Sequence, residues 1–151
     1  MPSETRGVPV TLDALRAAAE RVGRESDLAL VLLFGSAARD GPARARDLDL
    51  GVLARGSGAP ADPVALTNAF TRALGVQAVD VTDLRRADAL LLALAARDGV
   101  ALYEGEPGAH ARFWSLAFRR FYDTRKFRDA ERDYIRASVA AVAPGGGSDR
   151  S

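Results

Sequence analysis

Seven consecutive apolar residues, Leu28 to Phe34, follow Asp27 and stop abruptly at Gly35-Ser36. Such a run leaves no side for water, so it reads as a strand covered on both faces, with the glycine and serine forming the turn that leaves it. A strand of that kind needs neighbouring strands and a layer of helices above and below. The rest of the chain supplies them.

Thr11 can cap a helix whose apolar residues Leu12, Leu15, Ala19 and Val22 recur at helical spacing, with Gly23 placed to end it. After a short polar stretch from Ala37 to Arg46, the segment from Asp47 to Leu53 alternates with period two. That alternation sets Asp47 and Asp49 on one face and Leu48, Leu50 and Val52 on the other. Asp62-Pro63 opens a second amphipathic helix closed by Gly75, and Val76 to Val81 reads as a third strand. A leucine-rich helix is expected from Ala87 to Arg97, stopped by Gly99, with a short strand at Val100–Tyr103 after it. From Gly108 to Val142 the pattern is helical, with a break expected near Asp123-Thr124. Strands alternating with helices give the α/β class, a small mixed sheet packed against helices with a C-terminal helical segment. At 151 residues the chain accommodates one domain, placed at 8–142, with its helical extension at about 108–142 and tails at 1–7 and 143–151.

Composition narrows the function. Lys and Arg total 21 against 20 Asp and Glu, so no global field draws the chain to nucleic acid or to an anionic membrane, and an anionic ligand has to be held locally. Acidic residues interspersed among the arginines of 119–136 also argue against direct nucleic-acid binding there. Lys126 is the only lysine, and the absence of cysteine excludes disulfides and thiolate metal sites. No segment approaches the roughly 18 apolar residues of a membrane span, and the N-terminus lacks a leader pattern, so a cytoplasmic location is expected.

Two aspartates at i and i+2 on a strand project side by side, and their charges repel unless a cation sits between them. Magnesium suits such a pair, because it takes a few carboxylates together with substrate phosphates and retained waters. Asp-x-Asp alone is common on exposed strands. Gly35-Ser36 adds weight: the glycine permits close approach, and backbone N–H groups with the serine hydroxyl can hold phosphate oxygens. Asp80 lies on the opposite face from Val79 and Val81 and is the candidate third carboxylate, while Asp83 falls after the strand, placed to cap the next helix. Three carboxylates could hold two magnesium ions and a nucleoside triphosphate, with in-line displacement at the α-phosphorus and departure of pyrophosphate.

Gly35-Ser36, ten residues, then Asp47-Leu48-Asp49 resembles the signature of the polymerase-β-like nucleotidyltransferases, and the chain looks like their minimal, MNT-type members. Asp80 in its hydrophobic-Asp-hydrophobic setting and the segment Arg97 to Tyr103 are similar to theirs as well. The resemblance implies roles: Gly35, Ser36 and Arg39 at the triphosphate, Asp47, Asp49 and Asp80 as metal ligands, Asp80 also as base. It also implies an antitoxin that moves AMP from ATP to a tyrosine of a HEPN ribonuclease toxin. The chain departs from the common pattern at Asp40, where a glycine usually follows the arginine, and at Arg46, where serine or threonine usually precedes the first aspartate.

Two other readings stay open: a small-molecule, aminoglycoside-type adenylyltransferase, and a non-catalytic antitoxin acting by contact. Trp114, Phe118 and Phe121 form a stripe at helical spacing that reads first as core and second as a docking face for a partner or for another copy in a homo-oligomer. His110, the sole histidine, is read as a cap or surface residue.

Overall fold

The computed structural model describes residues 10–43, 47–56, 60–75 and 78–142; in the last helix the side chains at 124–128, 130, 131, 134, 138, 141 and 142 are outside that description. Arg46, both expected tails and the residues at 76–77 also lie outside it. The elements run α1 (Leu12–Glu25), β1 (Leu28–Phe34), α2 (Gly35–Asp40), β2 (Leu48–Ala54), α3 (Pro63–Leu74), β3 (Val79–Asp83), a 3-10 turn at Leu84–Arg86, α4 (Ala89–Asp98), β4 (Val100–Glu104) and α5 (Ala109–Val142).

The four strands form one sheet in the order β3-β2-β1-β4. β1 runs antiparallel to both neighbours, with Leu33 opposite Leu50 on one side and Val100 on the other. β2 and β3 are parallel, pairing Asp49 with Asp80. The sheet is therefore mixed, as expected. All seven residues of β1 are buried, which is what its unbroken apolar run requires.

Each face of the sheet carries its own core. Val31 and Leu33 of β1 join Leu48, Leu50 and Val52 of β2, Val79 and Val81 of β3, and the apolar faces of α1 and α3. Leu30, Leu32 and Phe34 turn the other way, onto Leu92 and Ala95 of α4 and Ala109, Phe113 and Ala117 of α5. On this second face the 3-10 turn covers β2 by setting Leu84 over Gly51. Asp49 and Asp80 lie on that same face by alternation, at the end beyond Leu84, with Asp49 half-buried and Asp80 exposed.

Local signals explain most helix ends. The Thr11 hydroxyl accepts from the Ala14 N–H at 3.1 Å, and Asp62 accepts from the Val64 N–H at 3.1 Å ahead of Pro63. Gly75 closes α3 in the left-handed region at φ 71°. Several expected boundaries move. α1 continues past Gly23 to Glu25, because that glycine provides space for the Tyr103 ring rather than a stop. α4 starts at Ala89, since Asp88 accepts from the Leu91 N–H at 2.8 Å and caps it. Asp83 is the last residue of β3 rather than the residue after it, and it caps the helical turn that follows at Leu84, as expected, accepting from the Arg85 N–H at 3.0 Å. α5 is a single helix through Asp123-Thr124, with no glycine or proline there to break it.

The aromatic stripe also corrects the sequence reading. The core side of α5 is Ala109, Phe113 and Ala117, at i, i+4 and i+8, while Trp114 and Phe118 are 46% and 47% exposed. They stack at 5.1 Å between centroids, and Phe118 meets Tyr122 edge to face at 5.0 Å. Phe113, one residue earlier, is the core aromatic.

Phe70 is the largest side chain with no exposure, packed where α3 meets the sheet. Phe70→Ala is expected to lower unfolding free energy by about 3–5 kcal/mol, read from denaturant melts.

Candidate active site

The strand directions gather the chemistry at one end of the sheet. β1 finishes there, and because β2 and β4 are antiparallel to β1 while β3 is parallel to β2, the other three strands begin there. Gly35-Ser36, Asp47, Asp49 and Asp80 thus meet although 45 residues separate the first from the last. The register sets their order: Phe34 is opposite Asp49, so Gly35 lies beside the Asp49 carboxylate.

Gly35 is needed twice over. Its φ of 72° falls in the left-handed region, and a Cβ there would collide with Asp49 Oδ2. The first turn of α2 has no side-chain cap, which leaves its backbone N–H groups available beside the half-buried Ser36. A phosphate oxygen can be received there at the edge of the carboxylate group.

Asp49 is the electrostatic centre. Its carboxyl is held above its ordinary value of 3.8, first by burial, then by the negative charges of Asp80 and of Asp47. A divalent cation would remove that penalty by replacing two repulsions with shared attractions. Among the described residues no three acidic or imidazole side chains are drawn into a ready coordination shell. Mutual repulsion opposes such closure until a cation is present, and magnesium needs only a few protein carboxylates beside phosphates and water. The donor set fits the ion.

Arg39 stands on α2 one turn beyond Ser36, exposed, with its guanidinium 3.8 Å from Asp98 Oδ2. Asp98 is in turn gripped by Arg97 through two hydrogen bonds of 2.9 Å. The sequence reading gives Arg39 a role and includes Asp98 only within the family-like segment Arg97 to Tyr103, with no role of its own. The signal was available: an acidic residue at the last position of a helix is on the wrong side of the macrodipole and needs cations to hold it.

His110 is elsewhere. Its backbone N–H donates to the Glu104 carboxylate at 2.8 Å, and Glu104 closes β4 at the end of the sheet opposite the carboxylates. A hollow of about 450 Å³ between α1 and α3, lined by Val10, Ala14, Arg21 and Leu74 among others, opens on the opposite face from Asp49 and offers no carboxylate.

Asp49 holds its proton more tightly in the folded chain than in the unfolded one, so stability falls as pH rises from the ordinary carboxylate range through the raised value. In metal-free buffer Asp49→Asn should therefore melt higher than the parent at neutral pH. That advantage should vanish below pH 3.8, where the carboxyl is protonated in both states. Magnesium should raise the parent's melting temperature and leave the variant's unchanged.

The sequence pattern described as Polymerase beta, Nucleotidyltransferase matches residues 19–107, more than half of the chain, and takes in Gly35, Ser36, Arg39, Asp47, Asp49, Asp80 and Asp98. No curated protein matches in sequence. Solved structures share the fold over nearly their whole length. A chain in a toxin-antitoxin complex with AMP-PNP is 24% identical, with 80% of this chain and 98% of that one covered and a TM-score of 0.68. A chain from the tri-AMPylated Shewanella oneidensis HEPN toxin in complex with MNT antitoxin is 24% identical, covering 83% and 99%, at 0.66. One from a point mutant of an MntA-HpeT toxin-antitoxin pair is 25% identical, covering 80% and 96%, at 0.66. With its matched segment spanning β1 to β4 and the carboxylates collected on β2 and β3, this chain belongs to the polymerase beta nucleotidyltransferase family.

Proposed function

We propose that the chain is a magnesium-dependent nucleotidyltransferase that transfers AMP from ATP to a tyrosine of a HEPN-type ribonuclease toxin, and so acts as that toxin's antitoxin. The observation that carries the reading is the half-buried Asp49 set between Asp47 and Asp80 directly against Gly35. Asp47, Asp49 and Asp80 would hold magnesium, which supplies charge screening for the triphosphate and a lower pKa for the attacking hydroxyl. Gly35 and Ser36 receive the triphosphate. The acceptor oxygen forms a bond to the α-phosphorus as the bond to pyrophosphate breaks, and the hydroxyl proton passes to Asp80. Exposure of Asp80 on the open face suits it to meet an acceptor from outside.

The matched relatives support the protein acceptor. One is crystallised with AMP-PNP, another with a toxin that already carries AMP, and both are covered almost completely by this chain.

Labelled ATP, magnesium and a HEPN-type toxin protein form the direct test. The partner should take up label, and Asp47→Asn with Asp49→Asn should reduce labelling by about 10²–10³-fold, as expected when a transition-state stabiliser is removed. A preparation that binds ATP and labels no partner would defeat the reading.

A second reading rests on the exposed Trp114, Phe118 and Tyr122. Aromatic residues dominate interface centres, so this side of α5 fits silencing of the toxin by contact alone. The two readings separate in the aspartate double variant, which protects cells from the toxin under the contact mechanism and fails to do so under the chemical one. Trp114→Ala with Phe118→Ala should have the reverse signature, weakening the complex while leaving ATP binding intact.

A further inference from the structure

The third strand to begin at the active end of the sheet is β4, and the residue pair that leads into it is Asp98-Gly99. Val100 pairs with Leu33, so Asp98 arrives next to the turn where β1 gives way to Gly35-Ser36. Only 18% of its side chain is exposed, and both of its carboxylate oxygens are taken by the Arg97 guanidinium at 2.9 Å. A single arginine would already satisfy a surface aspartate. Here a second one, Arg39, approaches Asp98 Oδ2 at 3.8 Å from the far end of α2.

We infer that Asp98 is a positioning residue for the nucleotide site: clamped by Arg97, it holds the Arg39 guanidinium at the margin of the carboxylate cluster, where it engages the β- and γ-phosphates of the bound triphosphate. The inference rests on the nucleotidyltransferase reading and deepens it by naming what orients the phosphate-binding arginine.

Three features favour this over an ordinary surface ion pair. Asp98 closes α4, where the helix dipole disfavours a carboxylate, so local stability alone gives no reason for an acid at that position. Its carboxyl nevertheless stays below the ordinary range, first through the Arg97 hydrogen bonds and then through the charges of Arg97 and Arg39. Finally, the contact to Arg39 is looser than the grip of Arg97, so the arginine is aimed without being neutralised. At 3.8 Å and with 53% of its side chain exposed, its donors remain available to a phosphate. The division of labour is plain: Arg97 fixes Asp98, Asp98 aims Arg39, and Arg39 meets the ligand.

The test is a coupling measurement in the full chain, with magnesium-ATP as probe and titration calorimetry as readout, beside thermal melts of each variant. Arg39→Ala should weaken binding by roughly tenfold or more, the loss of a charge-assisted contact. Asp98→Asn should weaken it by about threefold to fivefold with only a small drop in melting temperature from the lost Arg97 pair, and Asp98→Glu should restore most of the affinity. In the Arg39→Ala background Asp98→Asn should have no further effect on binding. Equal effects of Asp98→Asn with and without Arg39, or unchanged binding in Arg39→Ala, overturn the inference while the nucleotidyltransferase reading stands. Failure of the parent chain to bind magnesium-ATP overturns both.

Discussion

The register between β1 and β2 is the constraint on which the rest depends. Phe34 opposite Asp49 puts Gly35 beside that carboxylate and sends Leu48, Leu50 and Val52 into the core beneath α1 and α3. A slip of one residue would drive Asp49 into the core and expose Leu50. The apolar face thus selects the position of the acidic one. Burial stabilises the register, and the register delivers the charges: the apolar packing of Leu48, Leu50 and Val52 sets where Asp49 stands.

That delivery has a cost. Asp49 is partly withdrawn from water, and the charges of Asp80 and Asp47 raise the energy of its ionised form further. Asp80 itself stays exposed, which lets water screen part of that repulsion. Beside the start of β4, Arg39 and Arg97 both approach Asp98.

Local patterns made much of this legible before the fold was known. The apolar run of β1 predicted its full burial, and the alternation of β2 predicted which face Asp49 occupies, because both depend on side chains a few residues apart. The boundary errors had nonlocal causes. Gly23 looks like a helix stop until Tyr103, eighty residues later, is seen to occupy the space it leaves. Asp98 looks like a surface acid until the start of β4 is placed beside the end of β1. The aromatic stripe was assigned to the core by spacing alone, yet spacing cannot say which of two adjacent stripes faces inward. Ala109, Phe113 and Ala117 win that place because two small residues allow close approach to α4 and the sheet, with a single ring between them to fill the gap.

Exposure of the other stripe follows from the same packing. With its inner side satisfied by those three residues, α5 has no further need of core, yet it continues to Val142 with Tyr122, Ile135 and Val139 all more than half exposed. A helix of 34 residues is about 50 Å long, far more than a four-stranded sheet of five- to seven-residue strands requires for cover. The first turns serve the fold, and beyond them Tyr122, Ile135 and Val139 face outward. In a chain whose proposed substrate is another folded protein, that division is physically coherent: the carboxylates need an acceptor hydroxyl brought to them, and a long helix with an aromatic face provides area to bring it. Binding energy gained along α5 can then be spent on orientation at Asp80, where the small open site has few contacts of its own to offer.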